Sequence, residues 1–415
     1  MPSEVRDIKL ASQGEQKILW AQRHMKLLNK IQRRFSAEKP FQGVRLGLSI
    51  HLEAKTAQLA RTLHSGGAEV AVTGCNPLST QDDVAAALAQ EGKIAVYAWR
   101  SATAEEYEHH LSQVLKTRPQ AILDDGGDLV GLLHGKLSQL ASGVWGGTEE
   151  TTTGVRRLRA LAQQQKLRFP MFAVNDAHMK YLFDNRYGTG QSVWDGIMRT
   201  TNLSIASKTV VVAGYGWCGR GIAMRAHGLG ANVIITEIDP VRAIEALMDG
   251  FRVMTLEQAA PLGDIFVTAT GVRDVITEKH LKLMKDAAVL ANAGHFDVEI
   301  SKPDLERLSV AQSKIRPNVE EFTLKDGRHL YLLAEGRLVN LASGDGHPVE
   351  IMDLSFAVQA LTLEYLVKHH SELKPGVYPV PEEIDQLVAR TKLAELGIEL
   401  DELSASQRAY LEKAG

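Results

Sequence analysis

Four polar segments of this chain carry side chains that can grip hydroxyls and move protons. ILDDGGDL holds Asp124, Asp125 and Asp128, and GGTEETTTG holds Glu149, Glu150, Thr151, Thr152 and Thr153. VNDAHMKYLFDNRYGTGQS holds Asn175, Asp176, Lys180, Asp184, Asn185 and Thr189, and NAGHFDVEI holds His295 and Asp297. Carboxylates, an amine and amides suit hydroxyl recognition and general acid–base work. A lysine beside two carboxylates is tuned toward proton transfer. Each segment alone has a plainer reading. Asp-Asp-Gly-Gly makes a turn, and Lys180 with Asp184, four apart, makes a helix-surface ion pair. His51, at the end of the apolar run Val44–Ile50, is better placed for chemistry than the other histidines. His109-His110 and His369-His370 are adjacent pairs that do not face one another on a helix, and no H-E-x-x-H occurs. They are expected at the solvated surface, and no metal is expected.

The string TVVVAGYGWCGRG adds a second kind of chemistry. Gly214, Gly216 and Gly219 form G-x-G-x-x-G directly after an apolar strand and at the start of a helical stretch. Glycines there allow a tight turn, close approach of backbone to a pyrophosphate and close helix–strand packing, while the helix N-terminus stabilises the phosphate charge. After the next strand, NVIIT, comes Glu237, at about the 20-residue spacing of an acid that binds the adenosine ribose. A carboxylate there repels a 2′-phosphate, so NAD is expected rather than NADP. Cys218 lies near the helix start, where a thiolate is favoured, though a packed small side chain is the simpler reading.

These segments need a scaffold, and the hydrophobic pattern supplies one. Ile18 to Phe35 reads as one helix ended by Pro40. Strands are expected at Val44–Ile50, Glu69–Thr73, Ala95–Trp99, Ala121–Leu123 and Met171–Val174, with helices at Ala54–Ser65 and Asp83–Gln90 between them. A second series runs through Thr209–Ala213, Asn232–Thr236, Arg252–Met254, Asp264–Thr268 and Ala287–Asn292. Lys325 to Ala342 reads as a hairpin turning at Glu335-Gly336. A helix follows over Phe356–His369, then a linker marked by Pro375, Pro379 and Pro381, a last helix near Glu382–Glu395 and a short polar tail. The alternation predicts an α/β protein of two doubly wound Rossmann-like units plus a short helical C-terminal arm.

Composition narrows the class. The chain has 415 residues, with 47 basic and 50 acidic side chains and a net charge of −3. A broad nucleic-acid face is therefore not expected. Hydrophobic residues at 44% exclude a disordered acidic chain. Two cysteines, Cys75 and Cys218, exclude a disulfide framework and suit a reducing cytoplasm. No apolar run approaches the ~18 residues of a membrane span, and no secretory signal is visible.

Together these segments closely resemble the S-adenosylhomocysteine hydrolase family. The strings that carry the resemblance are GCNPLSTQDD, ILDDGGDL, EETTTG, FDNRYGTGQS, VVVAGYGWCGRG, VIITEIDP, NAGHFDVEI and LLAEGRLVNLASGDGHP, in family order from about Asp7 to Val367. The resemblance implies a cytoplasmic homotetramer of one-carbon metabolism with one tightly held NAD per subunit. It implies reversible hydrolysis of S-adenosyl-L-homocysteine to adenosine and homocysteine. The ribose 3′-hydroxyl is oxidised, the acidified C4′ proton is lost, homocysteine is eliminated, water adds, and the ketone is reduced again.

The resemblance also assigns residues. Lys180 and Asp184 would bind and deprotonate the 3′-hydroxyl, and Glu150 would hold the ribose hydroxyls. Asp125 and His51 would handle proton and water near C4′ and C5′, and Asn185 would position the nicotinamide and the oxidised centre. Thr151, Thr152, Thr153, Asn185, Gly214, Gly216, Trp217, Cys218, Gly219, Arg220, Gly221, Glu237, Ala293, Gly294, His295, Asn340 and His347 would surround NAD. Glu53, Lys55, His295 and His347 would join the substrate site, His347 near the purine, and Cys75 would lie beside the reaction centre as a reactive or merely packed thiol.

Four departures stand out. Thr189 replaces a frequent cysteine, and Arg242 stands where an asparagine often contacts the adenosine of NAD. The family's C-terminal Lys/Tyr extension has no counterpart in spacing near Tyr410 and Lys413, so faster NAD exchange is expected. Glu53 and Lys55 stand where adenine-specific members carry Thr and Glu. A Lys/Glu pair complements hypoxanthine, which presents O6 as acceptor and N1–H as donor, so S-inosylhomocysteine is an alternative substrate. The other reading of that pair has Glu53 accepting from adenine N6–H while Lys55 merely neutralises it. An NAD-dependent hydroxy-acid dehydrogenase and an inactive NAD-binding regulatory homologue are further alternatives. Implied domains are 1–188 with 348–375 for substrate, 189–347 for NAD and 376–415 as the arm, with hinges near Thr189–Trp194 and Gly344–Pro348.

Overall fold

The computed structural model describes residues 2–413; the expected segment ends at Met1 and at Ala414 and Gly415 lie outside the described residues. Among the described residues, two eight-stranded sheets follow one another. The first is built from β1 (Glu4–Val5), β2 (Arg45–Ser49), β3 (Glu69–Thr73), β4 (Ala95–Ala98), β5 (Ala121–Asp124), β6 (Gly146–Glu149) and β7 (Pro170–Ala173). The second comprises β8 (Thr209–Ala213), β9 (Asn232–Thr236), β10 (Arg252–Val253), β11 (Ile265–Thr268), β12 (Ala288–Asn292), β13 (Ser309–Arg316), β14 (Val319–Leu324) and β15 (His329–Leu333). A last strand, β16 (Gly376–Pro379), returns to the first sheet beside β7.

The strand order of the first sheet is β1-β4-β3-β2-β5-β6-β7-β16, all parallel. The second runs β10-β9-β8-β11-β12-β15-β14-β13, with β14 alone reversed, antiparallel to both β15 and β13. Each order reverses once, between β2 and β5 and between β8 and β11. Those are the points where the carboxyl ends of parallel strands open a crevice. Helices cover both faces, and the apolar strand residues are buried almost throughout, as parallel strands must be.

Several expectations change. The first helix is two, Ala11–His24 and Lys26–Glu38, interrupted at Met25. The Asp353 carboxylate accepts from the N–H groups of Leu27 (3.0 Å) and Leu28 (2.8 Å), which satisfies the exposed start of the second helix. The hairpin at Glu335-Gly336 does not form. β15 pairs with β14, Glu335 and Gly336 turn with positive φ of 56° and 76°, and Val339–Ala342 is a short helix. The proline-marked linker instead contains β16, with Tyr378 in register with Phe172. Helix Glu382–Glu395 packs Ile384 and Val388 into the first core, and its Asp385 caps the backbone N–H groups of His178 and Met179. Thr189–Trp194, expected as a hinge, lies in a continuous helical stretch from His178 to Thr201.

Of the four histidines expected at the surface, only His109 is exposed. His110 is 2% exposed and sits edge-on against Trp99, and His370 stacks on Trp145. Among the described residues no helix is long and apolar enough to cross a membrane.

Candidate active site

The carboxyl ends of the two sheets face a single cleft of about 820 Å³. β2 delivers His51, β5 Asp125, β6 Glu150 and β7 Asn175 from one side. β8 delivers Gly214 and Gly216, β9 Glu237, and β12 Ala293 to His295 from the other. Glu53 caps helix Ala54–Ser65, which places Glu53 and Lys55 at one end of the cleft.

Lys180 stands at the centre. It precedes a π-helical turn, Tyr181–Gly188, whose i,i+5 period brings residues 180 and 185 to the same side. Its Nζ donates to Asn185 Oδ1 at 2.8 Å and lies 3.4 Å from both Glu150 Oε1 and Asp184 Oδ2. Asn185 in turn donates to Asn175 Oδ1 at 3.0 Å. Burial alone would lower the Lys180 pKa, but Asp184 and Glu150 hold it above the ordinary lysine value. Burial pushes Asp184 up, yet Lys180 and His347 outweigh it and hold Asp184 well below the usual carboxylate range. Burial, with the facing Asp184, pushes Glu150 up to about 8, and Lys180 offsets part of the rise. The centre is therefore an ammonium, an anion and a carboxylic acid poised near neutrality.

A second group surrounds Asp125. Cys75 Sγ donates to its Oδ2 at 3.3 Å, His51 Nε2 lies 3.7 Å from Oδ2, and His295 Nδ1 lies 3.8 Å from Oδ1. His51 Nδ1 is fixed by Ser79 Oγ at 2.7 Å. Burial and the nearby His347 lower His51 to about 3, so its imidazole is neutral and can accept a hydrogen bond from a water. Burial raises Asp125, whose Oδ1 has no hydrogen-bond partner among the described residues and borders the cleft. Burial also raises Cys75 and Cys218, which favours packed thiols over reactive thiolates at both places.

The second sheet's half of the cleft fits a dinucleotide. Gly214 has φ +98°, and a Cβ there would meet Ala269 O at 2.9 Å. A Cβ at Gly216 would meet nothing nearer than Arg242 Nη1 at 3.7 Å, which leaves the space open to a ligand. Helix Trp217–Gly228 begins there with no side-chain cap, so its free N–H groups face an anion site. Asn340 Oδ1 is buried beside the cleft without a partner among the described residues.

Of the residues singled out in the sequence, His51, Glu53, Lys55, Asp125, Glu150, Thr151, Thr152, Thr153, Lys180, Asp184, Asn185, Gly214, Gly216, Trp217, Cys218, Glu237, Ala293, Gly294, His295, Asn340 and His347 all line the cleft. Gly219, Arg220 and Gly221 do not. Gly219 packs on Gly214 O and Gly221 on Arg186 O, while Arg220 pairs with Glu245 and stacks on Trp217. Two side chains that hold the central carboxyls were missed. Ser355 Oγ donates to Asp184 Oδ2 at 2.8 Å, and Gln359 Nε2 donates to Glu150 Oε2 at 2.5 Å. Both lie four apart on helix Val349–His369, which is buried from Met352 to Glu364. Polar side chains at that spacing in so apolar a stretch are the signal that could have found them.

The family model described as S-adenosyl-L-homocysteine hydrolase matches residues 2–140, and that described as its NAD binding domain matches residues 185–346. The chain is 59% identical to the adenosylhomocysteinase of Pyrococcus abyssi, over 98% of this chain and 96% of the relative. It is 58% identical to the S-inosyl-L-homocysteine hydrolase of Methanocaldococcus jannaschii, over 99% and 98%. It is 58% identical to the adenosylhomocysteinase of Thermotoga maritima, over 96% and 98%. With two Rossmann-like sheets, an inserted NAD-binding unit and matches spanning nearly its whole length, the chain belongs to the S-adenosyl-L-homocysteine hydrolase family of NAD-using enzymes.

Proposed function

We propose that this enzyme reversibly hydrolyses S-adenosyl-L-homocysteine to adenosine and L-homocysteine, with Lys180, Asp184, Glu150 and Asn185 acting on the ribose and Asp125 and His51 acting at C4′ and C5′. The observation that carries the reading is the Lys180 ammonium, within 3.4 Å of two buried carboxyls and at the junction of a nucleoside-sized pocket with a dinucleotide cradle. When bound, NAD supplies reversible removal of a hydride from C3′. In the fraction of enzyme whose Glu150 is ionised, Lys180 hands one ammonium proton to that carboxylate and takes the 3′-hydroxyl proton in its place, so the proton lost from O3′ ends on Glu150, whose pKa of about 8 suits the exchange. Asp184 stays anionic and keeps Lys180 charged and in place. Asp125 takes the C4′ proton, and the neutral His51 activates water for addition at C5′.

A second reading is favoured by the base end of the pocket. Lys55 Nζ lies 2.8 Å from Glu53 Oε2 and donates to Asp345 O at 2.8 Å, so its third N–H is left for a ligand. A donor there complements O6 of hypoxanthine and opposes the amino group of adenine. S-inosyl-L-homocysteine is thus the competing substrate. A hydroxy-acid dehydrogenase would account for the glycine fingerprint but not for the cluster at Lys180. The subunit is further proposed to divide at 188/189 and 347/348, with the segment after residue 375 extending the substrate-binding unit, and to work as a cytoplasmic homotetramer.

Thiol release from each thioether, with and without added NAD, tests the reading. Turnover without net NAD consumption is expected. Stoichiometric NADH formation with no thiol would replace hydrolysis by dehydrogenation.

A further inference from the structure

A buried carboxyl that never borders the cleft links the two halves of the ribose-handling machinery. β5 and β6 pair in parallel with Asp124 opposite Glu149, and the next residue on each strand is a proposed catalytic carboxyl, Asp125 and Glu150. Side chains alternate along strands, so Asp124 and Glu149 leave the sheet on the face opposite Asp125 and Glu150.

Glu149 Oε1 nonetheless reaches both loops. It accepts from the N–H of Gly126, the residue after Asp125, at 2.9 Å. It accepts from the N–H of Thr151, the residue after Glu150, also at 2.9 Å, and from Thr151 Oγ1 at 2.9 Å. One oxygen therefore pins the backbone behind each carboxyl. The surroundings are shaped for it: Gly154 lies against the carboxyl, where any Cβ would collide. Gly126 holds φ +108°, which the loop needs to turn its N–H inward.

We propose that Glu149 is a positioning residue that sets the separation of the Asp125 and Glu150 carboxyls across the ribose; this rests on the ribose roles given above. Glu149 is fully buried, and its three bonds all end on Oε1, while Oε2 has no partner among the described residues. The amide oxygen of a glutamine of the same length should therefore keep those bonds, whereas a shorter acid should not reach both loops.

The test compares Glu149→Gln, Glu149→Asp and Glu149→Leu in the NAD-loaded enzyme, with kcat and KM from thiol release and a crystal structure of each. Glu149→Gln is expected within about threefold of wild type. Glu149→Asp and Glu149→Leu are expected to lose about 10- to 100-fold in kcat with KM changed less than about threefold, the effect of misplacing groups by the order of 1 Å. Their structures should show the Gly126 and Thr151 amides displaced. Wild-type kcat in Glu149→Asp, or a loss in Glu149→Gln as large as in Glu149→Leu, overturns the proposal. If Glu149→Leu does not fold, the Asp and Gln variants decide. If wild type itself releases no thiol, the functional reading fails, and displaced or unmoved loops in the structures still decide the role of Glu149.

Discussion

Nδ1 of His347 lies 2.8 Å from Oδ1 of Asp184, tying the segment that leaves the second sheet to the helical turn that carries the central lysine. The other ring nitrogen is 3.3 Å from Thr189 Oγ1, and Gly188 gives the ring room, since a Cβ there would come within 2.7 Å of it. His347→Phe removes the bond to Asp184 but keeps the bulk. A hydrogen bond to a charged group contributes about 1.5–3 kcal/mol, so kcat/KM should fall about 10- to 100-fold. Gly188→Ala should shift it in the same direction by displacing the ring. Steady-state thiol release measures both, and wild-type kcat/KM in both would mean that Asp184 needs no partner across the cleft.

Lys180 is the only cation within ion-pair distance of Glu150 among the described residues, and Asp184 depends on it too. Lys180→Met removes the charge and leaves a buried anion uncompensated. The expected cost is about 3–5 kcal/mol of stability, together with loss of turnover. Urea unfolding of the NAD-free protein separates the two effects. A variant as stable as wild type would show that Asp184 is neutralised by His347 and solvent alone.

Much of this arrangement was legible in the sequence, and the failures have physical reasons. Glu69–Thr73, Thr209–Ala213 and Asn232–Thr236 form strands where the β-branched runs predict them, because fully buried parallel strands are apolar throughout. β6 was hidden because its sequence is Gly-Gly-Thr-Glu. Its glycines are demanded by neighbours, since a Cβ at Gly146 would meet Pro170 O at 2.6 Å and one at Gly147 would meet Ile122 O at 2.6 Å. The false hairpin arose because alternating apolar residues fit either a strand or a short helix. The chain after Gly336 coils so that Asn340 can donate to Ser192 Oγ at 3.1 Å. The break at Met25 depends on Asp353, distant in sequence, and no local pattern reports such a cap. The site residues were readable because they cluster at strand ends, whereas Ser355 and Gln359 act from the middle of an apolar helix.

Glu150 couples stability and activity to pH in opposite directions. Burial holds its acid form up to about pH 8, against 4.5 for the ordinary group, with Lys180 offsetting part of the effect. A carboxyl whose folded pKa is raised stabilises the fold fully below its unfolded value, and that contribution is lost as pH rises through the folded value. Glu150→Gln stays neutral, so its stability relative to wild type should rise between about pH 4.5 and 8 and level off above. Turnover of wild type should increase over the upper part of the same window as the proton acceptor becomes available. Denaturation midpoints of the two proteins at pH 5, 7 and 9, beside a wild-type pH–rate profile, check both halves. A stability difference independent of pH would mean that Glu150 is already ionised in the folded enzyme.

Base preference should reside in Lys55. Its Nζ is held between Glu53 Oε2 and Asp345 O, and Glu53 is itself fixed by accepting from the Lys55 N–H at 3.0 Å as the cap of its helix. The donor is therefore aimed by three bonds and has little freedom to turn away from a ligand. Lys55→Gln keeps an N–H for O6 but adds an oxygen that can accept from the adenine amino group. A mismatched buried polar pair costs about 1–3 kcal/mol, so the ratio of kcat/KM for adenosyl over inosyl thioether should rise about 10- to 100-fold in this variant. Competition of the two thioethers in one reaction, read by the released nucleosides, gives that ratio directly. An unchanged ratio would show that Lys55 serves only to neutralise Glu53 and hold the loop at Asp345, and that the base is read elsewhere in the pocket.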